Sequence, residues 1–349
     1  MSDRGSLFRA RFLRRFVSLR YRKLGKTGLS ISEIGFGCGS AGGLFTRDLH
    51  EEQLRAVRRA LELGINFFDT ASAYGNRKSE TNLGRVLEET GAKVTLATKA
   101  RFGPEALPHL REATIASVEE SLKLLRRTSV DLIQLHNPVA LKREWITFSL
   151  TPDDVLGPGG VLEGFKALRD EGKVRYFGFT GLGEPQALRA LIESGEFHTF
   201  QAYFNLLNPS AGHPVPGGFS AVDYGQLIDS AAAQGMGVLA IRVLARGALR
   251  TSAEVGESSP QTLSPGSDYP LDVERARRLM WLVDGEIKNL SEAAVRFALM
   301  KPEVSTVLVG FSDTEQVDQA VSCSGAAGLP VSAMARLWEL WNSDFKRSG

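Results

Sequence analysis

The sequence predicts an α/β protein built as a (β/α)8 TIM barrel with an extra helix at the C-terminal end. From residue 31 onward, short β-rich runs alternate with amphipathic helical stretches, and this alternation is typical of a parallel sheet. Eight such strand–helix units follow one another over roughly 300 residues, which fits the usual size of a closed barrel. A doubly wound open sheet is the alternative that the same pattern allows.

Each predicted strand is a short run rich in β-branched, aromatic or aliphatic residues. The eight runs are Ile31–Gly37, Ile65–Asp69, Val94–Thr98, Val130–Leu135, Arg175–Phe179, Phe200–Tyr203, Val238–Val243 and Val304–Val309. In a barrel of this kind the active site lies at the C-terminal ends of the strands. We therefore expect polar residues at those ends to carry the function.

Each predicted helix has apolar residues spaced along one face, as Leu54, Val57 and Leu61 are in the first. The predicted helices are Glu51–Leu63, Glu80–Glu89, Ile115–Leu125, Leu162–Glu171, Pro185–Ser194, Tyr224–Gln234, Ser291–Met300, Thr314–Val321 and a final Val331–Phe345. Three connections are long, at residues 137–160, 204–222 and 247–273. Because loops of that length are usually functional or disordered, we expect them to determine substrate specificity.

Composition and charge argue against several classes of function. The chain has 349 residues and a net charge of +2, so it shows no overall nucleic-acid footprint. No apolar run reaches the ~18 residues that a membrane span needs. The two cysteines, Cys38 and Cys323, match neither a disulfide framework nor a zinc spacing. We therefore expect a small-molecule partner, no metal and a reducing, cytoplasmic compartment, and leave the oligomeric state open.

The first twenty residues differ from the rest in charge. Residues 1–20 contain six arginines and one aspartate, so the remainder of the chain is mildly acidic. An amphipathic targeting helix and a twin-arginine signal are two interpretations of this leader, but residues 21–26 do not supply the apolar stretch that a signal needs. We expect a disordered leader at 1–20 and, because no linker-like composition shift follows, one domain at 21–349.

A glycine-rich stretch follows the first predicted strand. Residues 37–42 fit the G-x-G-x-x-G pattern of dinucleotide-binding turns. Such a turn must open directly into a helix, whereas residues 44–50 separate this one from the next helical pattern. We interpret Gly37 and its neighbours as a flexible loop that lets a ligand approach the backbone closely.

Polar side chains lie at the ends of the second, third and fourth predicted strands. Asp69 and then Tyr74 follow the second apolar run, Lys99 follows the third and His136 follows the fourth. In a barrel, consecutive strand ends meet around one opening. A lone polar residue at a strand end is usually a turn former or solvated, but a set on three consecutive strands favours a shared site.

The four side chains suit carbonyl reduction, which needs a hydride at carbon and a proton at oxygen. A phenol is a weak acid, with a pKa near ~10, and a neighbouring ammonium favours its ionised form. Lys99 would supply that ammonium, and Asp69 would hold it charged and in place. A neutral His136 would donate a hydrogen bond to the substrate oxygen. Tyr74 would be the general acid in reduction and the general base in oxidation.

These residues, in this order, resemble the aldo-keto reductase superfamily. The resemblance begins at residues 21–29, which are similar to the opening hairpin of that family, and extends to about Ala320. It implies a (β/α)8 barrel that binds NADPH, or less often NADH, in an extended form. Its most specific segments are Asp69–Glu80, Asp131–Pro138 and Gly172–Gly178. Its motifs imply that the catalytic tetrad consists of Asp69, Tyr74, Lys99 and His136.

The resemblance also implies cofactor-binding positions. Gln201 matches the glutamine that contacts the nicotinamide carboxamide, and Thr180 stands where a serine is usual. Arg242 stands where a small hydroxyl residue is common and is expected to reach a pyrophosphate. Leu244 matches a residue that packs along the cofactor, whereas Ile241 replaces a tyrosine that commonly stacks on nicotinamide.

Residues 309–316 match the adenosine-phosphate segment of the family, after the eighth strand. A helix N-terminus there favours an anion. Ser312 with Glu315 also fits an ordinary capping box. The segment has no cation, and the carboxylate of Asp313 would repel a 2′-phosphate, so we expect NAD(H) or NADP(H) with a slight preference for NAD(H). The expected contacts of this segment are Gly310, Ser312, Asp313 and Gln316.

The sequence thus predicts a nicotinamide-dependent oxidoreductase that interconverts an aldehyde, ketone or aldose with its alcohol or lactone by hydride transfer. One alternative is a cofactor-binding regulatory subunit with little turnover, which the altered nicotinamide contacts favour and the complete tetrad opposes. Another is a cofactor-free barrel lyase or isomerase, since one fold hosts many reactions.

Overall fold

The computed structural model describes residues 19–145, 148–250 and 268–346. Within these ranges the strands are β1 (Tyr21–Lys23), β2 (Ser30–Ser32), β3 (Ile34–Gly37), β4 (Phe67–Asp69), β5 (Thr95–Ala100), β6 (Val130–Leu135), β7 (Val174–Thr180), β8 (Thr199–Tyr203), β9 (Gly237–Ile241) and β10 (Val304–Gly310). The α-helices are α1 (His50–Glu62), α2 (Lys78–Thr90), α3 (Leu110–Leu124), α4 (Pro152–Leu156), α5 (Val161–Asp170), α6 (Pro185–Glu193), α7 (Leu227–Ala233), α8 (Tyr269–Arg277), α9 (Leu290–Met300), α10 (Thr314–Ser322) and α11 (Val331–Asn342).

Strands β3 to β10 form a closed parallel barrel in chain order, with β10 pairing both β9 and β3. This closure confirms the predicted (β/α)8 fold and makes the open-sheet alternative wrong. Strand β6 begins and ends where the sequence predicts. Strand β5 runs to Ala100, beyond the predicted end at Thr98, so Lys99 lies within the strand. The predicted C-terminal helix is present as α11.

The first predicted strand, Ile31–Gly37, is divided in two, and its prediction as one strand was wrong. Strand β2 pairs antiparallel with β1 as a hairpin, whereas β3 pairs with β4 and β10 in the barrel. Glu33 separates the two pieces. Its buried carboxylate accepts hydrogen bonds from Arg22 Nε at 2.9 Å and Ser324 Oγ at 2.7 Å. These partners are distant in sequence or on another strand, so the hydrophobic pattern does not reveal the break.

The predicted leader at 1–20 lies outside the described residues except for its last two. Leu19 is buried in the core. The backbone N–H of Arg20 donates to Ser324 Oγ at 2.8 Å, and its carbonyl accepts from Glu33 at 3.0 Å. The chain therefore packs against the barrel from Leu19 onward.

The barrel interior has an apolar layer below a polar one. Successive side chains of a strand point to opposite faces, so alternate residues of each strand face inward. The lower layer, which the hairpin closes, comprises Leu24, Ile31, Phe67, Ala97, Leu132, Leu239 and Leu308. Two residues further along their strands, Asp69, Lys99 and Gln134 are buried on the same face. The polar layer therefore lies at the C-terminal ends of the strands.

The long connections contain structure of their own. Helix α4 lies in the connection 137–160 and begins with a capping box at Thr151, and α8 begins in the connection 247–273. His213, in the connection 204–222, is partly buried and packs against the core rings of Phe297 and Trp341, with ring centroids 5.7 and 5.9 Å away. Residues 146–147 and 251–267 of these connections lie outside the described residues. None of the described helices is long and apolar enough to cross a membrane.

Candidate active site

A buried ion pair lies at the centre of the polar layer. The ammonium of Lys99 on β5 donates to the Asp69 carboxylate at the end of β4. It also donates to the Thr70 carbonyl at 2.8 Å and to the Tyr74 hydroxyl at 3.2 Å. The Lys99 side chain is fully buried and Asp69 is 4% exposed. The structure therefore brings three of the four predicted catalytic residues into direct contact.

The charge of Lys99 is maintained by its neighbours. Burial opposes the charged form, but the Asp69 carboxylate and the hydrogen bonds of the ammonium outweigh it and raise the pKa of Lys99. An unpaired ammonium in this position would be costly, because a buried charge is tolerated only when it is paired and hydrogen-bonded. Lys99 is thus a fixed positive charge 3.2 Å from the Tyr74 oxygen.

Two glutamines complete the surroundings of Asp69. Gln201 on β8 donates to Asp69 Oδ1 at 2.8 Å, and Gln134 on β6 donates to the same oxygen at 3.2 Å. Burial raises the pKa of Asp69, and the donated hydrogen bonds of Lys99 and both glutamines oppose that rise. Thr180 donates weakly to Gln201, with 3.5 Å between their side-chain oxygens. The predicted nicotinamide contacts, Thr180 and Gln201, therefore lie beside the ion pair.

Sequence reasoning missed Gln134, although a signal was present. It is the one polar residue inside the otherwise apolar run Leu132–Leu135. It lies two residues before His136, which places both side chains on the same face of the chain. Its partner Asp69 is distant in sequence, so the contact itself could not be predicted.

His136 lies beside the Tyr74 ring. The two ring centroids are 5.5 Å apart and the planes are nearly perpendicular, at 87°. Burial, together with the positive charges of Lys99, Arg101 and Arg242, lowers the pKa of His136 well below its usual value. The imidazole is therefore neutral near pH 7, as its expected role as a hydrogen-bond donor requires. Its buried Nδ1 has no hydrogen-bond partner among the described residues.

The loop after β4 fixes the position of Tyr74. Gly75, Asn76 and Arg77 all adopt left-handed backbone conformations, with φ of 60°, 50° and 67°, and turn the chain into α2. Two non-glycine residues in succession with positive φ are uncommon and mark a strongly constrained turn. Gly39 packs against the tyrosine ring so closely that a Cβ there would lie 3.3 Å from its carbon atoms. The glycine-rich loop after β3 thus forms one wall of the site.

A cavity of about 710 Å³ lies next to this site, between the end of β10 and helices α9 and α10. Its volume is typical of a ligand pocket. Four of the predicted cofactor residues line it, namely Leu244, Gly310, Asp313 and Gln316. Gly37 pairs with Gly310 at the rim, where a Cβ on Gly37 would lie 3.0 Å from the Val309 carbonyl oxygen. The cavity reaches the N-terminus of α10, where a phosphate could bind, and none of the four tetrad residues lines it.

Helix α10 begins at Thr314, as predicted, but its N-cap is not the residue that the capping-box interpretation requires. Asp313, rather than Ser312, is the N-cap, and its carboxylate accepts from the Gln316 N–H at 2.9 Å. Ser312 instead exchanges two hydrogen bonds with the Gln316 side chain, at 3.1 and 2.6 Å. The capping box of Ser312 with Glu315 was therefore wrong. The reason is that the helix begins one residue later than that box requires.

Arg250 and Lys288 are two cations that line the same cavity, and neither belongs to the adenosine-phosphate segment at residues 309–316. Arg250 follows β9 and donates to the Gly310 carbonyl at 3.4 Å, and Lys288 precedes α9. Arg242, the predicted pyrophosphate contact, adopts a left-handed φ of 57° and has its carbonyl held by Asn205 at 3.0 Å. Arg250 and Lys288 come from different loops, so it is the fold, and not the local sequence, that brings both to the cavity.

Comparison with known protein families shows which family the chain belongs to. A model of the aldo/keto reductase family matches residues 33–342. The chain belongs to this family. Members use nicotinamide cofactors, so this aldo/keto reductase is a nicotinamide-dependent oxidoreductase. The match confirms the predicted resemblance, and it contradicts the alternative of a cofactor-free lyase or isomerase.

Individual relatives of this aldo/keto reductase span nearly its whole length. L-galactose dehydrogenase of Arabidopsis thaliana is 28% identical over 316 residues, which cover 88% of each chain. L-glyceraldehyde 3-phosphate reductase of Escherichia coli O157:H7 is 24% identical over 350 residues, covering 93% of this chain and 92% of that protein. An aldo-keto reductase of Bacillus halodurans, solved in its holo form, has a TM-score of 0.69 at 22% identity and covers 95% of this chain and 99% of its own. The structural likeness confirms the barrel fold.

The lowered pKa of His136 leads to a prediction for folding stability. A histidine that is held neutral in the folded state adds stability above its unfolded pKa of ~6.5, and this stability is lost as the pH falls below that value. We expect His136→Gln to lose less unfolding free energy than the wild type between about pH 7 and pH 5. Urea denaturation at each pH measures this.

His109, which is exposed, provides the matched control. His109→Gln should keep the wild-type dependence on pH. If His136→Gln also kept it, the imidazole would not be held neutral by its surroundings.

Proposed function

We propose that this aldo/keto reductase reduces a carbonyl carbon, or oxidises the corresponding alcohol or lactol, with Tyr74 as general acid and base. The observation that supports the proposal is the position of the Lys99 ammonium, which contacts both the Asp69 carboxylate and the Tyr74 hydroxyl. A fixed positive charge favours the phenolate over the phenol. The tyrosine can therefore release its proton to the substrate oxygen and regain it in the reverse direction.

Each remaining member of the tetrad has a separate task in this proposal. A bound nicotinamide cofactor supplies or accepts the hydride. Asp69 keeps Lys99 charged and directs it at Tyr74. Neutral His136, beside the Tyr74 ring, donates a hydrogen bond to the substrate oxygen and orients it. The Tyr74 hydroxyl and the His136 imidazole, with the Lys99 ammonium beside them, stabilise the negative charge that develops on that oxygen.

We propose that the cofactor lies with its nicotinamide against Thr180 and Gln201 and its adenosine in the cavity beside α10. Arg242 would contact the pyrophosphate, with Gly37, Leu244 and Gly310 along the path. The N-terminus of α10 would receive the adenosine ribose or its phosphate, through Ser312, Asp313 and Gln316. The lining of the cavity by Leu244, Gly310, Asp313 and Gln316 supports the adenosine half of this placement.

We further propose a preference for NAD(H). Of the carboxylates that line the cavity, Glu292 is paired with Arg296 at 2.5 Å, whereas Asp313 and Glu315 lie at the start of α10. An extra phosphate on an adenosine ribose at the start of α10 would therefore meet these two carboxylates. Arg250, which also lines the cavity, is engaged by the Gly310 carbonyl.

Equilibrium binding tests the cofactor preference. We expect NADH to bind at least as tightly as NADPH, measured as the two Kd values by fluorescence titration at one ionic strength, because screening changes both. NADPH that bound tenfold more tightly than NADH would refute the preference.

The substrate class and the location are also proposals. The names of the plant and bacterial relatives, a galactose dehydrogenase and a glyceraldehyde phosphate reductase, favour an aldose or a small aldehyde as the substrate. Cys38 and Cys323 are both buried and unpaired, which supports a reducing compartment such as the cytoplasm.

The role of Tyr74 is tested by removing one oxygen atom. Tyr74→Phe should lower kcat by about 10²- to 10⁴-fold, the range expected when a general acid is lost, with either an aldehyde or an alcohol as substrate. Tyr176→Phe is the matched control, because its hydroxyl donates to the Thr27 carbonyl at the opposite end of the barrel and its turnover should stay near that of the wild type. Near-normal turnover of Tyr74→Phe would end the assignment.

A further inference from the structure

Arg101 lies at the same height as His136 on the neighbouring strand. In the register of β5 and β6, Lys99 pairs with Gln134 and Ala100 with Leu135, so the next residues along are Arg101 and His136. The pairing continues there, because the His136 N–H donates to the Ala100 carbonyl at 2.9 Å. Beyond it, the Asn137 side chain clamps both the N–H and the carbonyl of Phe102, each at 2.9 Å.

Side chains alternate between the two faces of a strand, and this alternation, which places Lys99 in the polar layer, directs Arg101 toward the barrel opening. Ala97 lies in the apolar interior layer, and Lys99, two residues on, lies in the polar layer. Arg101 is the next residue of this face. Consistent with this, its positive charge contributes to the lowered pKa of His136, and burial lowers the pKa of Arg101 itself.

Arg101 has no counterion in the part of the chain that the structure describes. Its guanidinium forms no hydrogen bond and no ion pair there, although the residue is partly buried. Two other arginines with limited exposure are ion-paired: Arg22 contacts Glu33 at 2.9 Å, and Arg275 contacts Asp344 at 3.0 Å. A partly desolvated charge without a partner is unfavourable in the free protein. Such a charge is expected where a ligand supplies the partner.

The other unpaired cation near His136 is Arg242, which the proposed function assigns to the cofactor. The charge of Lys99 is already balanced by Asp69. Among the described cations whose charge acts on His136, which are Lys99, Arg101 and Arg242, Arg101 is then the one left for the substrate. A guanidinium suits this task, because its planar donors bind a carboxylate or a phosphate through two parallel hydrogen bonds.

We propose that Arg101 binds an anionic group of the substrate, so that the enzyme prefers carbonyl compounds bearing a carboxylate or a phosphate close to the reacting carbon. The inference rests on the proposed function, since it is Tyr74 and His136 that hold the carbonyl oxygen next to Arg101. It makes Arg101 a residue that determines specificity and leaves the hydride and proton steps unchanged.

Matched substrate pairs test this preference. Butanal and succinic semialdehyde differ by a carboxylate, and glyceraldehyde and glyceraldehyde 3-phosphate differ by a phosphate. The anionic member of at least one pair should have a kcat/KM at least tenfold above that of its neutral partner. The pair that shows the preference identifies which anion is bound.

Substitutions assign the preference to Arg101. Arg101→Ala should raise the KM for the preferred anion by about 10- to 100-fold, as expected when a charged hydrogen-bonding group is lost, and leave the neutral partner within about threefold. Arg101→Lys should keep part of the preference. Arg55→Ala removes an exposed arginine on α1 and should keep all of it. An equal loss for both members of a pair, or no preference in the wild type, would overturn the inference.

A measurement without turnover separates this inference from the proposed function. Calorimetric titration of oxalate and of inorganic phosphate into the enzyme saturated with oxidised cofactor should show at least one Kd that Arg101→Ala weakens tenfold or more. If that dependence is found but no aldehyde is turned over, the proposed function fails and the anion site stands. If neutral aldehydes are turned over but neither anion depends on Arg101, only the anion site fails.

Discussion

The site depends on one interaction, the buried ion pair between Asp69 and Lys99. Removing either charge would leave the other buried and without a partner, which is strongly unfavourable. The pair fixes the ammonium where it contacts the Tyr74 hydroxyl at 3.2 Å, and it positions the carboxylate where Gln134 and Gln201 reach it. One contact thus joins β4, β5, β6 and β8 around the proposed proton donor.

The barrel makes this pair possible by separating two layers. Phe67, Ala97 and Leu132 exclude water from below, while the next inward residues of the same strands carry the polar groups. Because inward positions recur every two residues, a strand that begins apolar can present a charged group one layer higher without changing its register. The positive-φ turn at Gly75–Arg77, directly after Tyr74, then leads the chain into α2 and holds the tyrosine against the polar layer. The chemistry is therefore a consequence of strand alternation and of one constrained loop.

Much of this architecture could be predicted from the sequence. Strand β6 has the predicted ends because Leu132, Ile133 and Leu135 form a buried apolar run that His136 follows directly. The tetrad could be proposed because Asp69, Lys99 and His136 each interrupt such a run. The break at Glu33 could not be predicted, since its partners Ser324 and Gly325 are nearly three hundred residues away. Long-range pairs of this kind leave no local pattern.

The parts that sequence reasoning missed share the same cause. Gln134 and Arg101 gain meaning only from neighbours on adjacent strands, and Arg250 reaches the cofactor cavity through the path of a loop. At the start of α10 the predicted first residue, Thr314, was right, but both Ser312 and Asp313 are good N-cap residues by type, so residue type alone did not exclude the capping box at Ser312.

The most direct test of the account is a double-mutant cycle on the ion pair, with turnover as the readout. Asp69→Asn and Lys99→Met should each lower kcat by about 10²-fold or more. The double variant should be no slower than the slower single variant, because residues that act as one unit do not lose activity additively. If the two losses instead multiplied in the double variant, Asp69 and Lys99 would act independently, and the buried pair would not be what places the charge beside Tyr74.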